Sequence, residues 1–203
     1  MSFISLEGID GSGKSTQARM LADHLRGGGR EVVLTREPGG SEGAEAIREL
    51  VLTGEPGRWS AETEILLFTA ARRDHLERTI RPALARRATV VCDRFADSTR
   101  VFQGVTRGDL TDLVDRLHDA TIGTEPDRTF VIDIDPAVGL ERSMGRMTGD
   151  ALPESRFERF GLPFQEKARA GFRALAERRP DRIAVIDGSG TPDEVFARIR
   201  AAL

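Results

Sequence analysis

Short apolar runs alternate along the chain with longer stretches in which apolar residues recur every three to four positions. The short runs have the length of strands, and the longer stretches have the period of amphipathic helices. The pattern predicts strands over residues 3–7, 31–35, 88–92, 129–132 and 183–186. It predicts helices around residues 18–25, 65–84, 110–117, 157–175 and 195–203.

Local signals support several of these helix ends. Three consecutive glycines, Gly27, Gly28 and Gly29, follow the first helical stretch and predict its end. Asp135 followed by Pro136 has the form of an N-cap with proline at the first helical position. Residues 191–194 resemble a capping box that opens the last helix.

Strands that alternate with helices predict βαβ units and therefore a parallel sheet covered by helices on both faces. A chain of 203 residues suits one domain, so we expect a single α/β unit over residues 1–203. In such sheets ligands bind beyond the carboxyl ends of the strands. The residues with suggestive chemistry follow predicted strands, at 8–15, 36–40 and 93–94.

Residues 8–15 match the phosphate-loop pattern G-x-x-x-x-G-K-[ST] in full, between a predicted strand and a predicted helix. Glycines allow the tight turn that brings backbone N–H groups to phosphate oxygens, and the helix adds its positive end. The motif predicts ATP or a similar nucleotide as ligand but leaves the reaction open, a GTPase switch included. The predicted nucleotide-binding residues of the loop are Gly8, Asp10, Gly11, Ser12, Gly13, Lys14, Ser15 and Thr16.

A magnesium site is predicted beside this loop. Lys14 is expected to neutralise the β- and γ-phosphates, and the Ser15 hydroxyl is expected to ligate Mg²⁺. Asp93 follows the apolar run of residues 88–92, where a Walker-B-type aspartate would support the same ion as a second-shell or water-mediated ligand.

Charge and cysteine content limit the binding partners and the cellular compartment that we expect for this protein. The formal net charge of −3 argues against a nucleic-acid coat, so local cations must hold any anionic ligand. The single cysteine, Cys92, excludes an intrachain disulfide and fits a reducing cytoplasm. No signal peptide is expected, and no apolar run approaches the roughly 18 residues of a membrane span.

Several longer stretches together resemble the thymidylate kinase family. They are FISLEGIDGSGKSTQ at the start, TREPGG at residues 35–40, LLFTAARRDH at 66–75 and CDRFADSTRVFQG at 92–104. They occur in the order of that family, and the similarity is weakest between Arg142 and Arg159. The resemblance implies a P-loop NTPase-type fold, transfer of a phosphoryl group from ATP to dTMP, and a homodimer.

The resemblance also implies which residues contact dTMP. Phe68 would stack on thymine, although periodicity alone favours an ordinary core position for that ring. Gln103 would lie on the pyrimidine edge, and Asp10 near the 3′-hydroxyl. Arg36 and Arg94 would grip the acceptor phosphate, since guanidinium groups match phosphate oxygens. The remaining implied contacts are Pro38, Arg48, Ser98 and Phe102.

Arg72 resembles the arginine that donates to thymine O4. Thymine presents an acceptor at the position where cytosine presents an amino donor. Arginine carries only donors, so a cytosine base would place two donors face to face. The residue types therefore favour a pyrimidine with a carbonyl at this position.

The lid of the family is expected at about residues 142–159. The phosphate loop carries no basic residue at Gly11, where some family members have one, so the lid is expected to supply the catalytic arginine. Residues 155–158 resemble the family's D-R-[IF]-E, which favours Arg156, although Ser155 replaces the acid. Arg142 is a predicted adenine contact, together with the turn at residues 187–191.

The sequence departs from the family in one respect that bears on the sugar. Phe102 stands where many members have tyrosine, and the chain contains no tyrosine at all. No histidine is needed as a base, and the three histidines are expected to be structural or exposed. The alternatives are another pyrimidine nucleotide kinase or a nucleotide-binding regulator without catalysis. A GTPase switch is disfavoured because this sequence contains no N-K-x-D guanine-binding signature.

Overall fold

The computed structural model describes residues 2–145 and 157–203. Its centre is a five-stranded sheet with the order β2-β3-β1-β4-β5, in which every pairing is parallel. This confirms the predicted α/β class. The strands are β1 Phe3–Glu7, β2 Val32–Arg36, β3 Thr89–Asp93, β4 Arg128–Asp133 and β5 Ile183–Asp187.

Two predicted strands lie one residue too early in the sequence. β2 and β3 each begin and end one position later than the apolar runs predicted, and Arg36 pairs with Asp93 at the end of the shared ladder. The ladder continues to these polar residues because hydrogen bonding between backbones does not depend on side-chain polarity. Both side chains therefore stand at the carboxyl edge of the sheet.

Helices form the connections between successive strands. The predicted helix at residues 65–84 is interrupted by a π-helical segment, Leu76–Ile80, and a second π-helical segment spans Arg100–Val105. Helix α2 was not predicted, although Ala44, Ile47 and Val51 recur in its sequence at helical spacing. The helices are α1 Lys14–Gly27, α2 Glu42–Leu52, α3 Ala61–His75, α4 Arg81–Ala85, α5 Ala96–Thr99, α6 Thr111–Thr121, α7 Pro136–Gly145, α8 Leu162–Arg178 and α9 Pro192–Ala201.

Alternation along β1 divides the core between the two faces of the sheet. Ile4 and Leu6 pack with apolar residues of α1 and α9 on one face. Phe3 belongs to a second apolar cluster, with Leu76 and Ile80, on the other. Glu7 alternates with Leu6 and is fully buried at the end of the strand. The strand and the helices packed on it fix the position of Glu7. The loop that follows β1 therefore begins at a well-packed point of the core.

Both predicted N-caps are present. Asp135 Oδ1 accepts a hydrogen bond of 2.9 Å from the Ala137 amide at the start of α7. Thr191 and Glu194 form a reciprocal capping box at the start of α9. Each cap satisfies amide groups that the first helical turn leaves without partners.

A buried ionic network fixes the segment that follows β3. Asp97 accepts hydrogen bonds from Arg100 at 2.8 Å and from Arg182 at 2.8 and 3.0 Å. All three residues are buried, and Arg100 continues the network to the Glu125 carboxylate at 2.6 Å. Removing one partner of such a group would leave an uncompensated charge in the interior. The network therefore anchors α5 against the sheet.

The residues that the structure describes include no helix long and apolar enough to cross a membrane. The predicted lid at about 142–159 overlaps residues 146–156, which lie outside the described residues. Arg156 is among them, so its proposed role stays a prediction from the sequence.

Candidate nucleotide-binding site

A cavity of about 540 Å³ opens at the carboxyl ends of β1, β2 and β3. Its two ends differ in chemistry, with the phosphate loop at one end and aromatic and arginine side chains at the other. The sequence-predicted residues that line it are Asp10, Gly11, Gly13, Lys14, Ser15, Thr16, Arg36, Pro38, Arg48, Phe68, Arg72, Asp93, Arg94, Ser98, Phe102 and Gln103. One continuous space therefore brings together segments that are distant in sequence.

The phosphate loop is pressed against the first turns of α7. Gly11 has a φ of +73°, and a Cβ atom placed on it would lie 1.9 Å from the carbonyl oxygen of Gly139. A Cβ on Gly139 would in turn lie 2.6 Å from the Asp10 carbonyl oxygen. Neither position has room for a side chain, so the absence of a basic residue at Gly11 has a steric cause.

Lys14 lies under this loop and is almost completely buried. Its Nζ donates to the Ile9 carbonyl oxygen at 2.7 Å. Burial, reinforced by the nearby positive charge of Arg94, lowers the pKa of Lys14 to about 8. An arriving polyphosphate would stabilise the charged ammonium, so the lysine is suited to bind an anion.

Ser15 and Asp93 form a pair with the donor chemistry of a magnesium site. The Ser15 hydroxyl donates a short hydrogen bond to Asp93 Oδ2. Asp93 Oδ1 is buried and accepts no hydrogen bond from any described residue. A hydroxyl and a carboxylate oxygen left without a donor fit Mg²⁺, which commonly takes one or two protein oxygens and completes its shell with water and phosphate.

Arg94 connects the loop to the segment after β3. Its Nη2 donates to Asp10 Oδ1 at 2.5 Å, and its Nη1 donates to the Gly8 carbonyl oxygen at 3.1 Å. Gln165 of α8 contacts the other oxygen of Asp10 at 3.1 Å. Arg94 itself adopts a φ of +71°, a left-handed conformation that is unfavourable for arginine. The fold therefore holds this guanidinium at the cavity wall at some conformational cost.

Glu7 supports Arg94 from below through Ser98. The carboxylate accepts hydrogen bonds from the Phe95 amide at 2.7 Å and from the Ser98 hydroxyl at 2.6 Å. Ser98 Oγ in turn accepts one from Arg94 Nη1 at 3.0 Å. Burial, together with the negative charge of Asp97, raises the pKa of Glu7 to about 7. Ser98 therefore lines the cavity mainly as a link between the acid and the arginine.

Arg72 is buried at the opposite end of the cavity. Its Nε donates to Glu37 Oε2 at 2.8 Å, and its Nη2 donates to Thr99 Oγ1 at 2.9 Å. The ring of Phe95 lies beneath the guanidinium, with its centroid 5.2 Å away. Glu37, Thr99 and Phe95 were not predicted as site residues. For Glu37 a signal was available, since it lies inside the TREPGG motif.

Comparison with known proteins agrees with this geometry. A family model described as "Thymidylate kinase" matches residues 6–199. A protein named thymidylate kinase from Jannaschia sp. (strain CCS1) is 64% identical over 198 residues, which cover 98% of this chain and 93% of that protein. The chain belongs to the thymidylate kinase family.

More distant members agree in sequence and in structure. The thymidylate kinase of Caulobacter vibrioides is 52% identical over 97% of this chain and 93% of that protein. The crystal structure of thymidylate kinase from Ehrlichia chaffeensis superposes with a TM-score of 0.80 at 34% identity, covering 98% of this chain and 97% of that one. The resemblance seen in the motifs and the predicted P-loop NTPase-type fold are thereby confirmed.

The aromatic side chains form the wall that the thymidylate kinase resemblance assigns to the base. Phe68 is partly exposed to the cavity, and its ring centroid lies 5.9 Å from that of Phe157. Phe102 is mostly buried, stacks on Phe164 at 5.8 Å and lies under the Arg94 guanidinium at 4.9 Å. In place of the tyrosine common in the family, this ring therefore supports an arginine by a cation–π contact.

Polar residues near the base end have partners within the protein. Gln103 lies in the π-helical segment and donates to Glu64 Oε2 at 3.1 Å. Arg48 donates to the Pro38 carbonyl oxygen at 2.6 Å. Arg36 is half exposed and contacts both carboxylate oxygens of Glu45, at 3.2 and 3.1 Å. These contacts hold the side chains close to the cavity but leave their roles towards a ligand as predictions.

Three predicted site residues do not line the described cavity. Gly8 and Ser12 belong to the phosphate loop but face the sheet and the interior, and a Cβ on Gly8 would lie 2.5 Å from the Ile132 carbonyl oxygen. Arg142 lies in the last turn of α7, exposed. Its predicted contact with adenine stays a prediction from the sequence.

Titration of Glu7 should make stability depend on pH. Because the pKa of Glu7 rises from about 4.3 in the unfolded chain to about 7 in the folded protein, its stabilising effect is complete below about pH 4.3 and declines as the pH rises through 7. A glutamine at this position cannot titrate, so the free energy of unfolding of Glu7→Gln should rise by about 2–3 kcal/mol relative to that of wild type as the pH is raised from 5 to 8. Urea unfolding at several pH values measures this difference.

Glu166→Gln is the matched control for that experiment, since Glu166 is exposed on α8. It reports the general effect of removing one carboxylate. A stability difference between Glu7→Gln and wild type that stays constant from pH 5 to pH 8 would show that Glu7 does not titrate in this range.

The contact between Gly11 and Gly139 predicts a strong effect of one methyl group. Gly11→Ala should lower the free energy of unfolding by about 3 kcal/mol, since backbone strain and a clash with a carbonyl oxygen combine. Gly13→Ala is the control, because Gly13 also has a positive φ, +93°, but nothing lies within 4 Å of the position that an added Cβ would take. Thermal or urea unfolding should show the larger loss for Gly11→Ala, and equal losses would contradict the steric argument.

Proposed function

We propose that this member of the thymidylate kinase family transfers the γ-phosphoryl group of ATP to dTMP and so produces dTDP and ADP. The observation that carries the proposal is a single cavity with a phosphate loop at one end and an arginine–phenylalanine pocket at the other. A nucleoside monophosphate kinase needs both ends in one space, because its two substrates must meet in line.

The reaction requires no strong base from the protein. The attacking atom is a phosphate oxygen of dTMP, whose second pKa of about 6 makes the dianion available at neutral pH. That oxygen forms a bond to the γ-phosphorus while the bond from this phosphorus to the bridging oxygen of ADP breaks. The main barrier is the repulsion between two anions, so catalysis depends on positioning and charge neutralisation.

We propose that cationic side chains meet this requirement. Lys14 would neutralise the donor phosphates, and Arg94 and Arg36 would hold the acceptor phosphate from the edge of the sheet. Ser15 and Asp93 would hold Mg²⁺, which would supply further positive charge to neutralise the phosphates. Arg156 is proposed to join them from the lid, on the strength of the sequence resemblance alone.

Arg72 and Phe68 are proposed to select the base. A guanidinium presents only donors, which suits thymine O4 and opposes the amino group of cytosine. The ring of Phe68 offers a flat apolar surface for stacking. Selection of dTMP over dUMP depends on space for one methyl group, worth about 1–3 kcal/mol, so dUMP is the closest competitor.

A panel of acceptors tests the proposed reaction directly. ADP release from ATP and Mg²⁺ should be fast with dTMP, slower with dUMP and near background with dCMP and dGMP. Equal rates with dCMP would favour another pyrimidine nucleotide kinase. ADP release that does not depend on any acceptor, despite measurable binding of ATP, would favour a nucleotide-binding regulator and overturn the proposal.

Lys14→Ala should reduce kcat by about a hundredfold or more, because a preorganised cation next to the transferring group is lost. Lys167→Ala is a suitable control, since Lys167 is the only other lysine of the chain and is exposed on α8. Circular dichroism should show both variants folded. A Lys14→Ala variant with the turnover of wild type would remove the assignment of the phosphate loop.

We also propose a homodimer with a cytoplasmic location, in which neither nucleic acid nor membrane is a partner. The dimer rests on family resemblance, and sedimentation equilibrium should give a mass near twice the 22.3 kDa of one chain. The single cysteine is buried and its pKa is raised well above the ordinary value, chiefly by burial, which suits a protein that needs no disulfide. A monomeric mass at micromolar concentration would contradict the dimer.

A further inference from the structure

Arg72 can serve the base only if its guanidinium is held in one orientation. Its side chain has several rotatable bonds and is only 3% exposed. Nε and Nη2 have partners in Glu37 and Thr99, whereas Nη1 makes no hydrogen bond to another described residue. Because Arg72 lines the cavity, Nη1 is the nitrogen that remains for a ligand. The groups that fix Nε and Nη2 therefore determine where Nη1 points.

Glu37 is in turn held from its far side by a histidine. The carboxylate uses Oε2 for Arg72, and its Oε1 lies 3.0 Å from His75 Nδ1. Since a carboxylate only accepts, His75 Nδ1 carries the proton of this hydrogen bond. His75 Nε2 lies 2.7 Å from Thr35 Oγ1, so in the neutral ring it accepts from that hydroxyl. A continuous chain of hydrogen bonds thus runs from β2 to the cavity.

The histidine ring has no freedom to move away. His75 is 0% exposed, and a Cβ on Gly40 would lie 2.4 Å from its Nε2. The backbone of the turn after β2 is therefore packed against the ring. His75 does not itself line the cavity, and the Glu37 carboxylate is the group that connects it to Arg72.

We infer that His75 and Glu37 are positioning residues that aim Arg72 at the base and thereby set the preference for thymine over cytosine. The inference rests on the proposed function. Glu37 compensates the buried charge of Arg72, and His75 prevents the carboxylate from rotating away from it. Without this support the guanidinium would remain in the cavity wall but would lose the fixed direction that distinguishes an acceptor from a donor.

Two substitutions of one residue separate positioning from packing. In His75→Asn the amide nitrogen takes the place of Nδ1 and can still donate to Glu37. In His75→Gln the longer side chain places its amide near Nε2, so it retains the contact with Thr35 but loses that with Glu37. Both variants replace the ring by a smaller amide, and a purely structural role would affect them alike.

His75→Gln should raise the KM and the Kd for dTMP about tenfold, as expected for a lost hydrogen bond to a charged group. The KM for ATP should stay within about twofold, and the ratio of kcat/KM for dTMP to that for dCMP should fall by about the same tenfold factor. His75→Asn should stay within about threefold of wild type on every one of these measures. Calorimetry of dTMP binding checks the Kd without turnover.

Glu37→Gln gives a second approach that preserves the shape of the side chain. It should raise the KM for dTMP, and the effects of Glu37→Gln and His75→Gln should be less than additive in the double variant, because both act on the same contact. This variant also keeps the inference testable if His75→Gln does not fold.

Equal effects of the Asn and Gln substitutions, or a parallel rise in the KM for ATP, would overturn the positioning role. Additive effects in the double variant would do the same. These outcomes are distinct from failure of the proposed function, which would appear as a wild-type protein that neither binds nor phosphorylates dTMP.

Discussion

The pairing of guanidinium groups with carboxylates organises the whole cavity. Arg94 is bound to Asp10, Arg72 to Glu37 and Arg36 to Glu45. Cations that converge on one small space would repel each other and orient themselves towards water in the absence of these acids. Glu45 lies beside the motif that carries Arg36, whereas Asp10 and Glu37 come from other stretches of the sequence than their arginines. The paired acids compensate the positive charge locally, so several arginines can lie close together in a chain whose net charge is −3.

The pairs differ in how firmly they hold their arginines. Arg36 and Glu45 are both substantially exposed, and such a pair contributes at most about 1 kcal/mol, so a phosphate can replace the carboxylate at little cost. Arg72 and Glu37 are both almost completely buried, and breaking that pair would strand a charge in the interior. The exposed arginine is thus suited to capture and release of an anion, whereas the buried one is suited to a permanent geometric role in recognition.

The sequence predicted the sheet and the phosphate loop from local signals, whereas most other residues of the cavity were implied by the resemblance to the thymidylate kinase family. Apolar runs identify strands, and the phosphate loop and the TREPGG stretch follow strand ends that meet at one edge of the sheet. Strand ends were misplaced by one residue where the ladder continues into Arg36 and Asp93. Helix α2 was missed although its apolar residues recur at helical spacing, so the sequence did carry a signal for it.

The supporting contacts could not be predicted in the same way. Thr99 and Glu37 reach Arg72 from positions 27 and 35 residues away, and Gln165 reaches Asp10 across 155 residues. No spacing rule connects such partners, since the fold alone determines which side chains meet. The π-helical segment that carries Gln103 is equally invisible to a search for the ordinary helical period. Arg156 lies outside the described residues, so the lid remains a matter of sequence resemblance.

The contact of Gly11 with Gly139 has an evolutionary consequence. Some family members carry a basic residue in the loop at the position of Gly11, but in this chain any side chain there would run into the backbone of α7. A mutation that introduced the loop arginine would damage the protein before the cation could become useful. In this chain α7 would have to move away first, so a cation in the loop and close contact between the loop and α7 exclude each other.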